Sequence, residues 1–135
     1  MKYLSAQHDI MKVIRGAYSA ANATPPLSFR LPESHEVTEP FARIDVVDAR
    51  QLNALHSMHT VNVTVWCGGN NARARSTQAA LDVYGFLMDL PTHDGVPVVK
   101  AEPVYGVVTT IDPQLNIPIS KFSIALTSTN ERRAT

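Results

Sequence analysis

The residues able to do chemistry in this chain are few and scattered. Of its five histidines, His56 and His59 stand three apart, while His35 and His93 lie in polar segments. Imidazoles hold zinc or iron only when a scaffold fixes several ligands around one point, and this spacing does not supply one. Cys67 is the single cysteine, which excludes an internal disulfide or a cysteine-based zinc site and fits a reducing compartment. As a nucleophile it would need a neighbouring base. At the end of an alternating strand, on the valine side, it reads better as a small core residue. Gly68-Gly69-Asn70-Asn71 falls between a strand and a helix, where phosphate loops occur. The Lys and Ser/Thr that such a loop uses are missing downstream, so a plain turn is the better reading. There is no Walker loop, dinucleotide fingerprint, nucleophile elbow or helical HExxH. No catalytic, cofactor-binding or metal-ligating residue is assigned.

Three residues are more suggestive of contact than of catalysis. Trp66 faces away from the valine row of its strand and is either a core residue or an interface anchor. Arg73 and Arg75 fall at the start of a helix, where cations oppose the macrodipole. They are either a solvated pair or partners for acids of a neighbouring subunit, with Asp82, Asp89 and Asp94 as candidates. Twelve basic residues balance twelve acidic ones, which argues against a protein that binds nucleic acid by neutralising phosphates. The signs are segregated along the chain, however. Asp82, Asp89, Asp94, Glu102 and Asp112 meet only Lys100, and Glu33, Glu36, Glu39, Asp45 and Asp48 meet only Arg43. Unlike faces of this kind suit head-to-tail contact between identical subunits.

The elements that position these residues follow from periodicity and punctuation. All nine prolines fall outside residues 1–24 and 41–90, so regular structure should concentrate in those two stretches. Ile10, Val13, Ile14 and Ala17 recur at helical spacing and predict a helix over 5–20, ended by Thr24-Pro25-Pro26. Leu27–Leu31 and Phe41–Val47 are strand candidates. Residues 49–56 are patterned for neither element and are expected as the end of a long hairpin. The hairpin carrying the segment Asp48–His59 should project beyond the domain body, where Arg50, Leu52, Leu55 and Met58 would either idle or touch a neighbour. The clearest strand is His59–Cys67, with Val61, Val63 and Val65 on one side. A second helix should run over 72–90 with Ala80, Leu81, Tyr84, Leu87 and Met88 as its apolar stripe. Strands at 98–111, broken at Pro103, and 119–127 close the domain, and residues from about 130 are expected to fray. The prediction is one α+β domain over 1–135. It is a mostly antiparallel sheet of about four strands flanked by two helices.

Lys2 is followed by polar residues rather than the apolar segment of a secretory leader, and no run reaches the ~18 apolar residues of a membrane span. Cytoplasmic synthesis is the expectation.

This succession of elements resembles the tail terminators of long-tailed phages, of the lambda type, and related head-to-tail connector proteins of actinobacterial phages. The likeness runs over roughly residues 5–128. It is carried by the first helix, Leu31-Pro32-Glu33, the strand Phe41–Val47 and Val61-Asn-Val-Thr-Val-Trp-Cys-Gly. The alanine-rich helix ending in Leu90-Pro91 and the closing Ile119-Ser-Lys-Phe-Ser-Ile-Ala-Leu complete it. The resemblance implies a hexameric ring in the neck of the virion, without catalysis or cofactor. Such a ring stops tail-tube polymerisation and joins the tail to the head-side stopper or connector, and the genome passes through its lumen. The competing expectations are another neck protein, such as a stopper or head-completion protein, and a small cytoplasmic enzyme or ligand-binding domain.

Overall fold

In a computed structural model of the chain, residues 3–6, 9–25, 27–28 and 39–134 are described. The elements are β1 (Tyr3–Ala6), α1 (Ile10–Ala20), β2 (Leu27–Ser28), β3 (Phe41–Gln51) and β4 (His56–Trp66). They continue with α2 (Ala72–Met88), a 3-10 turn at Leu90–Thr92, β5 (Val98–Ile111), β6 (Pro118–Thr129) and β7 (Glu131–Ala134). The fold is α+β. Strands β3, β4, β6 and β5 form an antiparallel sheet in that order, and β2 adds two residues in parallel to the outside of β3. The chain ends meet in a separate antiparallel ribbon of β1 and β7.

Alternation divides the sheet into two faces. Ala42, Ile44, Val61, Val63, Val65, Phe122, Ile124 and Leu126 are on one face, fully or almost fully buried. Ile10 and Ile14 of α1 and Ala79, Ala80, Val83 and Leu87 of α2 cover them. The two helices touch where the Phe86 ring meets the edge of Tyr18, with centroids 5.0 Å apart. The opposite face carries Asn62, Thr64, Ser123, Ala125 and Thr127, and neither helix packs on it.

The helix α1 begins at Ile10, later than its periodicity suggests, because Asp9 caps it by accepting from the Lys12 amide at 3.3 Å and residues 3–6 are drawn into β1. Helix α2 departs from expectation at Leu81, which is exposed. Ala80 and Met88 of the expected stripe meet the core, and the small residues Ser76, Ala79 and Val83 face the sheet beside them. Small side chains let the helix approach closely. Tyr84 and Leu87 do pack on the core, Tyr84 edge-on to Phe122 at 5.3 Å. Pro103 does not break β5; it sits on an edge strand, where a missing amide is tolerated. Residues 131–134, expected to fray, form β7 against β1. That pairing of the two chain ends leaves no local signal in either segment. Leu31-Pro32-Glu33, His35 and Glu36 lie outside the described residues.

A chain of hydroxyls fixes α2 on the sheet. Ser76 donates to the Val65 carbonyl (3.1 Å) and lies 2.9 Å from Ser120 Oγ. Thr109 Oγ1 is 2.8 Å from Ser120 and 2.7 Å from Thr77 Oγ1, and Thr77 donates to Arg73 O at 2.9 Å. Each hydroxyl carries one proton. With Ser76 and Thr77 donating to carbonyls, Ser120 and Thr109 supply two protons to the three oxygen–oxygen contacts, and the buried Ser76 and Ser120 are satisfied as burial requires.

Candidate interaction surface

The residues that could have done chemistry do not converge. On a strand, positions three apart face opposite sides. His59 is accordingly buried on the core side with its Nε2 2.9 Å from Ser128 Oγ, while His56 is on the other side. His93 packs against the Phe86 ring at 5.2 Å. Among the described residues no three His, Cys, Asp or Glu side chains are grouped closely enough to hold a metal ion. Cys67 is buried, and burial pushes its thiol up and away from the reactive thiolate. In the turn after β4, Gly69 and Asn71 take left-handed backbone conformations, φ 81° and 55°, and the Asn71 side chain makes no cap bond. Trp66 is buried: its ring packs beside Phe41 and its indole N–H donates to Asp112 at 2.8 Å. It is an internal fastener and not an exposed anchor.

The charged candidates are separated along α2. Arg73 and Arg75 lie in its first turn and Asp89 at its C-terminal cap. From Arg75 to Asp89 the helix rises about 21 Å at 1.5 Å per residue. Both ends therefore oppose the macrodipole. Arg75 has compensation within its own chain, a 3.0 Å ion pair with Glu39, and Arg73 reaches the Thr109 carbonyl at 3.4 Å. Asp82 accepts from Gln78 at 2.9 Å, and Asp94 is exposed beyond the helix. Glu39, Arg75 and Asp82 line one cleft of about 430 Å³ beside Pro25, with their polar groups turned to one another or to Gln78. The broken helix rule at Arg75 thus has an answer inside the subunit.

The 49–56 connection is shorter than expected. Residues 49–51 belong to β3, where Arg50 opposes Met58, and only 52–55 turn. This tip is tied down instead of projecting freely. Asn53 Oδ1 accepts from the amides of Leu55 (2.8 Å) and His56 (2.9 Å). Asn130, at the end of β6, donates its amide to Leu55 O and its side-chain NH₂ to Asn53 O and Ala54 O.

The feature that the sequence reading missed is the distribution of exposed apolar side chains. Among the described residues nine large ones are exposed. Five are on β5 (Val99, Val104, Tyr105, Val108, Ile111), Val47 is on β3, Leu52 and Leu55 are in the turn, and only Leu81 is on a helix. The two edge strands and the tip between β3 and β4 hold eight of them. Val47, Val99 and Val104 are 57%, 50% and 56% exposed, and each sits where its strand slips register against its neighbour. A bulge turns its extra residue out of the ladder, and at these three shifts that residue is valine; a fourth shift, between Tyr105 and Val108, spans Gly106 and Val107. The outer edges of β5 and of residues 44–51 in β3 pair with no described strand. No helix among the described residues is long and apolar enough to cross a membrane. No protein-family model and no curated protein sequence matches the chain.

Proposed function

We propose that this chain is a structural subunit of a phage neck, a tail terminator that forms a ring, caps the tail tube and meets the head-side connector. The observation that carries the reading is the concentration of exposed apolar side chains on the edges of one sheet. An exposed apolar edge is a liability in a protein that remains single, and it is the surface an assembling subunit needs. The resemblance of the element order to tail terminators supplies the particular assembly. The scattered histidines and the protonated, buried Cys67 give an enzyme nothing to work with at the described positions. In this reading the partners are further copies of the chain, the last tail-tube ring and the connector, with DNA passing through the lumen without specific contacts.

The test is to add the purified chain to polymerising tail-tube subunits and image the products. Tubes of limited length with the chain at one end are the expected result. Tubes that grow unchanged, with the chain absent from their ends, would overturn the proposal; attachment only to the connector would move the chain to the stopper role.

A further inference from the structure

We infer that copies of this chain join edge to edge, β5 of one against β3 of the next, with Arg50 opposite Glu102 of the neighbouring copy. The inference rests on the ring-forming reading above and specifies its joint.

Strand direction makes the joint possible. The sheet runs β3, β4, β6, β5 with every neighbour antiparallel, so four alternating strands leave its two edge strands pointing in opposite directions. A second copy rotated about an axis along the strands brings its β3 beside the first copy's β5, again antiparallel. The contact joins two different edges, which makes it heterologous, and repetition closes a ring if the rotation allows. The helix layer then falls on the same side of the wall in every copy.

Charge selects the register. Arg50 lies level with Met58, Thr127 and Lys100 across the sheet, and Asp48 lies level with Thr60, Ala125 and Glu102. These four charged residues share the face not covered by helices. Lys100 and Glu102 form a 2.6 Å ion pair on the β5 edge. Joining copies without a shift would still set Arg50 nearest to Lys100 and Asp48 nearest to Glu102, two like-charge contacts. Shifting one copy by two residues, the smallest step that keeps each side chain on its face, sets Arg50 opposite Glu102 and removes both clashes. Closed sheets require such a stagger between strands. The same shift brings the bulged Val47 within one residue of the bulged Val104 of the neighbour. A flat foreign strand would fit neither bulge, so the irregularities that usually blunt an edge here restrict it to a partner bulged at the same height.

The test is cysteine pairing combined with charge exchange on the full chain. Within one copy Arg50 and Glu102 lie on opposite edges, three strand spacings or about 14 Å apart, too far for a disulfide. In the doubly substituted Arg50→Cys, Glu102→Cys chain, with Cys67 replaced by Ser, oxidation should give a ladder of covalent multimers. Arg50→Glu and Glu102→Arg should each weaken self-association at least about tenfold, and combining them should restore it. Absence of the ladder at concentrations where the chain associates, or association indifferent to both reversals, overturns the edge joint. A protein that stays single at all concentrations does so too. Capped tubes without cross-links would leave the terminator reading standing and sink the joint. Cross-linked rings that do not cap tubes would do the reverse.

Discussion

Trp66 at the end of β4 and Asp112 at the end of β5 are joined by a 2.8 Å hydrogen bond from the indole Nε1–H to Oδ2. The other oxygen of Asp112 accepts from the amides of Gln114 (2.7 Å) and Leu115 (3.1 Å), so one carboxylate shapes the β5–β6 turn and holds the tryptophan. The bond from Trp66 holds this carboxyl below its usual range; partial burial pushes the other way, and the two amides and Lys121 add to the lowering. With the folded value below the unfolded one, about 3.9, the stabilisation is present above that pH and is lost as pH falls through the depressed value. Asp112→Asn should flatten the acid limb of a Tm-against-pH profile. An unchanged acid limb would mean that the turn is indifferent to this charge.

At the alkaline end the sensitive group is Tyr18, whose hydroxyl donates to the Pro25 carbonyl. Burial, with a smaller part from the charge of Asp82, pushes its pKa up to about 12 from 10.0. A raised pKa stabilises fully below the unfolded value and is lost as pH climbs through the folded one. Tyr18→Phe should therefore remove part of the stability loss between pH 10 and 12, read by denaturant melts at each pH.

Val63 is fully buried between β3 and β6, where it opposes Ile44 and Phe122. Val63→Asp places an unpaired charge there at several kcal/mol, against a total stability of ~5–15, and should abolish folded protein. Leu87→Ala, a milder probe on α2, should cost about 2–5 kcal/mol in urea melts.

Arg75→Ala provides a contrast. Its ion pair with Glu39 is at the surface, with side-chain exposures of 35% and 84%, and such pairs contribute ~1 kcal/mol or less. Stability should barely change, and self-association should persist because the edge joint does not use this residue. A collapse of association would bring back the helix start as the subunit contact.

The tip of the β3–β4 hairpin should depend on Asn130. Asn130→Ala removes the donors to Asn53 O and Ala54 O and the acceptor of the Ser57 hydroxyl, 2.6 Å away. Amides of residues 52–56 should then exchange faster with solvent, with a loss of ~1–2 kcal/mol.

The core was legible because alternation is a strong signal. Val61, Val63 and Val65 with Phe122, Ile124 and Leu126 declare one face of two paired strands. Helix α2 was legible in extent and largely in orientation, since Ala80, Tyr84, Leu87 and Met88 of its apolar stripe meet the core while Leu81 points outward. The small and partly polar part of its sheet-facing side, Ser76 and Ala79 with Val83, is what a stripe drawn from the largest apolar residues passes over. The pairing of β1 with β7 joins segments more than a hundred residues apart, which local patterning cannot reveal. The candidate surface was hidden for a related reason. Valine at positions 47, 99 and 104 reads as ordinary strand composition until the bulges that expel it are known.

The hydroxyl chain through Ser76, Ser120, Thr109 and Thr77 has a mechanical consequence. It couples the first turns of α2 to β6 and to the outermost strand, so a load on the edge at β5 is shared with the helix rather than carried by the β5–β6 ladder alone. A wall made of such units would resist peeling at its seams: to detach the edge strand, the helix must also be lifted from its seat.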